Sequence, residues 1–248
     1  MNRLRGTGSL LLVLACLLPC MFVAARAAEG EGGRSRTSLN EGWRYADGVH
    51  AGAPARGFDD AGWQAIALPH TWNARDAFDK RVPYRRGEGW YRRTLALSPA
   101  QCRRRLFAYF EGANQVADVH LNGEHLGRHV GGYTAFAFEL TPHLRCDGHD
   151  LLAVRVDNRH DLDIPPLDAD FTFFGGIYRN AWLVETDPLH IDVLDHASPG
   201  VYVDTPRIDA RAAVVRVRGA LVNQSMSARE ATVEHRVLDP SGAEVARM

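Results

Sequence analysis

Short runs of alternating apolar and polar residues, separated by turn signals at roughly ten-residue spacing, restrict this chain to an all-β architecture. Leu106-Phe107-Ala108-Tyr109-Phe110 is dense in strand-forming side chains. Val119-His120-Leu121 alternates and runs into Asn122-Gly123, two residues that both tolerate the positive φ of a type I′ turn, so a hairpin is predicted there. Phe136, Phe138 and Leu140 alternate, as do Leu152, Val154 and Val156, which gives each segment one buried face. Few stretches carry a helical period of useful length. The pattern predicts a jelly-roll β-sandwich over residues 38–187, with a boundary near Asp187-Pro188.

Beyond that boundary, apolar runs at 191–194, 201–203, 214–222 and 232–238, with Asp239-Pro240-Ser241-Gly242 as a turn, read as the first strands of a partial immunoglobulin-like sandwich over 188–248. Such a sandwich needs about seven strands. Missing partners leave an open apolar edge, so the chain is expected to be a fragment of a longer polypeptide. The other reading is a complete protein with a small tail of three or four strands.

The N-terminus carries its own signal. Arg3 and Arg5 precede an apolar run at 10–23, and Ala25-Arg26-Ala27 supplies the small-x-small pattern of a cleavage site. Residues 1–27 therefore read as a signal peptide, followed by a flexible Gly/Glu-rich lead-in over 28–37, in a protein that is exported to the periplasm or secreted. The run is too short for a membrane span, and no transmembrane segment is expected after its removal. A lipoprotein anchor at Cys16, in Val13-Leu14-Ala15-Cys16, is the second reading; against it, the residues after Cys16 stay hydrophobic. Leader removal leaves Cys102 and Cys146, each just ahead of a predicted strand. An oxidising compartment allows them to pair, while the sequence leaves their separation in space open. Their spacing matches no zinc site, so no metal site is expected. The formal net charge is −1 without a basic stripe, which excludes nucleic acid as a partner.

Several segments in a fixed order carry a resemblance. They include Leu39-Asn40-Glu41-Gly42-Trp43, Leu68-Pro69-His70-Thr71-Trp72-Asn73 and Gly89-Trp90-Tyr91-Arg92-Arg93. Further along come Gly131-Gly132-Tyr133-Thr134-Ala135-Phe136 and Gly175-Gly176-Ile177-Tyr178-Arg179. Together they resemble the N-terminal sugar-binding domain of glycoside hydrolase family 2, the family of β-galactosidases, β-glucuronidases and β-mannosidases. The resemblance implies that chemistry resides in a later (β/α)8 barrel with two glutamates, in a retaining double displacement on a β-linked glycoside. This chain would then be the non-catalytic sugar-binding portion of an exported, β-galactosidase-like hydrolase, with no catalytic residue of its own, and the missing barrel would be its partner. Asn40-Glu41 sits in the opening turn and is not read as a catalytic pair. The alternative is a stand-alone secreted carbohydrate-binding module.

For site residues, the resemblance points to Asp170, seven residues before Ile177, as the carboxylate that reaches sugar hydroxyls. A carboxylate suits that task because it accepts charge-assisted hydrogen bonds from two hydroxyls at once; the bland reading is a turn cap. The resemblance also allows a sodium ion near Asp170 in the full-length enzyme, and no other cofactor is expected. Phe173, on the same loop, offers a ring for a sugar's C–H face or for packing against the barrel. Asn73, after Trp72, is a candidate contact or a turn residue. Trp72 and Trp90 read as core.

Overall fold

The computed structural model describes residues 33–79 and 81–248. The signal peptide, Cys16 and residues 28–32 of the lead-in lie outside the described residues. Ten strands build the first part of the chain: β1 (Ser35–Ser38), β2 (Trp43–Asp47), β3 (Gln64–Ile66), β4 (Glu88–Leu95), β5 (Arg105–Phe110), β6 (Val116–Leu121), β7 (Glu124–Val130), β8 (Phe136–Glu139), β9 (Asp150–Asp157) and β10 (Ala181–Thr186). They form a four-stranded sheet in the order β1-β10-β5-β8 and a six-stranded sheet in the order β3-β2-β4-β9-β6-β7. Every pairing in them is antiparallel.

Period-two alternation selects the face each strand buries. Leu106, Ala108 and Phe110 of β5, with Phe136, Ala181 and Leu183, meet Trp43, Tyr91, Val119, Leu121, Leu152, Val154 and Val156 of the other sheet in one core. The β6–β7 turn has the expected geometry: Asn122 at φ 55° and Gly123 at φ 96°. The Asn122 amide also reaches across to the Asp150 carboxylate at 2.7 Å and accepts from the Leu151 N–H at 2.9 Å, which fixes the hairpin against the start of β9.

The outer face of the six-stranded sheet is unusually polar for its burial. Arg92 of β4 is 3% exposed, because residues 48–63 lie over it. Its guanidinium donates to the Asp60 carboxylate at 2.7 Å and to the carbonyls of Ala53, Ala55 and Phe58, so the buried charge is fully paired. Farther along, Arg155 bridges Glu88 at 2.6 Å, Asp118 at 2.8 Å and Asp157 at 3.1 Å. Hydrogen bonding from Arg155 holds the Glu88 carboxyl below its ordinary range. For Asp118, burial opposes ionisation, but the bonds from Arg128 and Arg155 outweigh it; Asp157 is lowered in the same way, by Arg159. Burial also lowers His70, His120 and His129.

These shifts have one sign in their effect on stability. A histidine lowered on folding contributes above its unfolded pKa of about 6.5, and the contribution is lost as the pH falls below that value. A carboxylate lowered on folding contributes above about 4 and loses it as the pH falls further. Unfolding free energy measured by urea between pH 8 and 3 should therefore decline in two steps, the first beginning near neutrality. A flat profile down to about pH 4.5 would contradict the histidine assignment.

Cys102, in a 3₁₀ turn at Gln101–Arg103, and Cys146, in the turn ahead of β9, form a disulfide with Cα atoms 6.1 Å apart. The bond ties the lead into β5, in one sheet, to the lead into β9, in the other.

Residues beyond Asp187 form β11 (Leu189–Ile191), β12 (Val201–Ile208), β13 (Ala213–Gly219), β14 (Leu221–Asn223), β15 (Arg236–Leu238) and β16 (Glu244–Arg247). They pair as three separate two-stranded ladders, β11-β14, β12-β13 and β15-β16, and no residue after Gly200 is buried. Val193 packs with Phe107 and Val184 on the outer face of the four-stranded sheet. Arg34 donates to the carbonyls of Ile191, Asp192 and Pro199, and Arg105 bonds Gln224. The Arg103-Arg104-Arg105 run thus works partly at this junction, where Arg104 also pairs with Asp187 at 3.1 Å. No helix among the described residues is long and apolar enough to cross a membrane.

Candidate functional site

The segment between β9 and β10 crosses one end of the sandwich without forming a strand and carries Asp168, Asp170 and Phe171 to Phe174. A loop of this length keeps a defined path only if its ends are held. At its start, Asn158 is 1% exposed; its side-chain oxygen accepts from the Gly87 N–H at 2.9 Å. At its end, the Gly175 N–H donates to the Asn73 side-chain oxygen at 2.8 Å. Gly176 exchanges backbone bonds with Asn114 at 3.0 and 3.2 Å, and the His70 N–H donates to the Ile177 carbonyl at 2.8 Å.

The Gly175-Gly176 pair is explained by what lies over it. A Cβ at Gly175 would come 2.4 Å from the Trp72 ring and from the Asn158 amide. Gly176 has φ +109°, and a Cβ there would meet the Tyr91 hydroxyl at 2.5 Å. The Gly175→Ala substitution should cost about 2 kcal/mol through overpacking against Trp72. Urea unfolding checks this, and a cost within about 0.5 kcal/mol of zero would contradict the packing described.

Asn73, open in the sequence to a sugar contact or a turn role, takes a structural place. It is 0% exposed. Its amide nitrogen donates to both Asp76 carboxylate oxygens, at 3.1 and 2.9 Å, and to the Arg85 carbonyl at 3.0 Å. With its oxygen taken by Gly175, no polar atom of the side chain is left for a ligand. The expected sugar contact at Asn73 is therefore corrected: the residue clasps the 73–87 loop to the end of the Asp170 loop. Trp72 is partly buried against the core, as expected, with the Arg85 guanidinium 4.5 Å from its ring centre. Trp90 is buried at 5% exposure.

Asp170 is exposed near the middle of this loop. Around it the aromatic side chains are graded in exposure. Phe171 is 52% exposed and Tyr133 41%, with ring centres 6.1 Å apart. Phe173 is half-buried, 5.2 Å from Phe171 and beneath the Arg86 guanidinium at 5.9 Å. Its carbonyl accepts a hydrogen bond from the Tyr84 hydroxyl. The structure thus brings Asp170 and Phe173 onto one pinned loop, beside a cluster of accessible rings. A carboxylate next to exposed rings can bond hydroxyls and stack C–H faces of a polyhydroxylated ring.

Among the described residues, no group of three or more His, Cys, Asp or Glu side chains could hold a metal ion. At this end the sequence gives no site role to Asn114, Arg86 or Asn158. Asn158 is marked only by its place directly after β9, whereas Arg86 and Asn114 enter through loop packing.

Comparison with known proteins places this geometry. Residues 37–187 match the family model described as glycosyl hydrolases family 2, sugar binding domain. A β-glucuronidase of Bacteroides fragilis is 40% identical over 207 residues, covering 84% of this chain and 28% of its own length. A β-galactosidase of Bacteroides ovatus is 34% identical over 222 residues, covering 86% of this chain and 24% of its own. Among solved structures, a β-glucuronidase of Bacteroides uniformis superposes with a TM-score of 0.80 at 35% identity, over 87% of this chain and 25% of that one. The chain spans roughly a quarter of the length of these relatives.

Proposed function

The chain belongs to family 2 of the glycosyl hydrolases, with residues 37–187 as its N-terminal sugar-binding domain, and from that membership we propose that it serves a longer retaining glycosidase as a non-catalytic part. In this reading the sandwich binds and orients a β-linked glycoside, while the acid/base and nucleophile carboxylates, which a retaining mechanism holds about 5–5.5 Å apart, come from a separate barrel of the same polypeptide. The observation that carries the reading is the pinned loop that presents Asp170 beside Phe173 at one end of the sandwich.

Asp170 is the group proposed to accept hydrogen bonds from the glycone, with Phe173 as an apolar flank. A rigid mount matters here, because a contact made through a wandering loop loses its orienting value. Asn73, Asn158 and the Gly175-Gly176 pair supply that mount. Both β-glucuronidases and β-galactosidases stand among the relatives, so the proposal is for a β-glycoside without a named glycone. Export to an oxidising compartment fits the Cys102–Cys146 bond.

The proposal is tested by activity. The purified chain should show no turnover of chromogenic β-galactosides or β-glucuronides, and turnover by this chain alone would overturn it.

A further inference from the structure

The outer face of the four-stranded sheet carries two arginines that the fold leaves without a counter-charge. Arg34 directly precedes β1, and Arg36 lies within it, opposite Val184 in the ladder with β10. That face is the one on which Val184 packs with Phe107 and Val193. The Arg36 guanidinium stands 4.7 Å from the Tyr109 ring centre and 5.2 Å from that of Trp182. Stacking of this kind occupies the flat faces of a guanidinium and leaves its N–H edges free to donate. Arg34 donates to three carbonyls at 3.3 to 3.4 Å, beyond the usual length of such bonds. Among the described residues neither arginine pairs with a carboxylate. Partial burial lowers the Arg34 pKa, and the Arg36 charge adds to the shift against the opposing pull of Tyr109 and Asp192.

Both guanidiniums and Tyr109 line one cavity of about 190 Å³. Two positive charges held together with open donors favour an anion, and the rest of the lining narrows its class. Val184, Val193 and Pro199 are apolar, and the Ser198 hydroxyl is already engaged by Gly200 and Tyr202. A phosphate needs donors on several sides to leave water, and here they come from the arginines and Tyr109 alone. A carboxylate presents two oxygens in one plane, which the edge of a guanidinium matches. A short hydrocarbon stem behind it can lie against the valines. The cavity is smaller than the roughly 300 Å³ at which pockets begin to enclose drug-sized molecules, so it suits a group about the size of a glutamate side chain.

We propose that this cavity is a carboxylate-binding site, in which Arg34 and Arg36 receive the carboxylate of a ligand with a short apolar stem. The carboxylate belongs either to a free organic acid or to a glutamate side chain of a polypeptide. The site shares no residue with the contact assigned to Asp170 and stands whether or not that assignment holds.

The test is an NMR titration of the isotopically labelled full chain at constant ionic strength. The probes are butyrate, its neutral match butyramide, N-acetylglutamate α-methylamide and inorganic phosphate. Saturable shifts are expected for the Arg36 Nε–H signal, identified by its loss in Arg36→Gln, and for the Val184 methyl groups. Butyrate should bind with a dissociation constant of about 1–10 mM, and butyramide and phosphate at least about tenfold more weakly. Tighter binding of the blocked glutamate than of butyrate assigns the site to a polypeptide, and the reverse order to a free acid. Arg34→Gln and Arg36→Gln should each weaken butyrate binding at least about fivefold. Arg36→Lys, which keeps the charge and loses the planar fork, should weaken it about threefold. Arg34 lies outside β1, so its variant carries the test even if Arg36→Gln disturbs the edge strand. No saturable shift at Arg36 or Val184, an equal response to butyramide, or butyrate binding unchanged by Arg34→Gln would overturn the site. Phosphate binding as tight as butyrate would overturn the carboxylate class.

Discussion

Replacing Asp170 with asparagine in the longer glycosidase proposed above lowers kcat/KM for its β-glycoside by roughly 10², corresponding to about 3 kcal/mol of lost transition-state stabilisation. Asparagine keeps the shape and one acceptor oxygen but removes the charge, and charge-assisted bonds to hydroxyls are about twice as strong as neutral ones. Bonds to glycone hydroxyls strengthen as the ring distorts toward its transition state, so the loss falls mainly on kcat rather than KM. Asp170 is exposed and the clasps of its loop run through other residues, so the thermal midpoint of the variant should match the parent's. Steady-state kinetics and a melting curve together check both halves. A change in kcat/KM of less than about threefold would remove Asp170 from the site.

The disulfide sets the largest expected effect on stability. It closes a segment of 44 residues, and the entropy removed from the unfolded chain by a loop of that length corresponds to about 4 kcal/mol. The Cys102→Ser, Cys146→Ser double variant should therefore melt roughly 10 °C below the parent. Adding a thiol reductant should move the parent toward the variant and leave the variant unchanged. That internal control separates the bond from any packing defect introduced by serine. A double variant that melts within about 2 °C of the parent would show that the bond contributes little. The position of the link amplifies its importance, because it joins the two sheets at one end and opposes their separation there.

What the sequence made legible was whatever depends on near neighbours. Asn122-Gly123 announces its turn because the required φ values exclude most other residues. The inward faces of β6 and β9 follow from alternation alone, and Leu152, Val154 and Val156 lie where that alternation places them. The long-range pairings were not legible in the same way. Arg92 looks like a surface residue until residues 48–63 are seen to fold over it. The Arg155 network draws on β4, β6 and β9, whose adjacency is a matter of sheet order and not of spacing in the chain.

The same division runs through the candidate site. Asp170 could be singled out because the resemblance fixes its spacing from Gly175-Gly176-Ile177, and Phe173 because it lies on the same loop. For Asn73 the sequence leaves a contact and a turn residue both open, because its role is set by partners at 76, 85 and 175, two of them distant in sequence. The pairing of Cys102 with Cys146 also stayed open until the two sheets fixed their separation. Beyond Asp187 the strand signals are present, but the ladders they form do not close into a sandwich among the described residues.

The most direct test of the central claim is the rate of hydrolysis of chromogenic β-galactosides and β-glucuronides by the purified 248-residue chain, compared with the polypeptide extended through the downstream reading frame. The account predicts no turnover above the buffer rate from the chain alone, and turnover from the extended polypeptide that falls on Asp170→Asn substitution. Hydrolysis by the chain alone, at a rate that survives repurification, would contradict it.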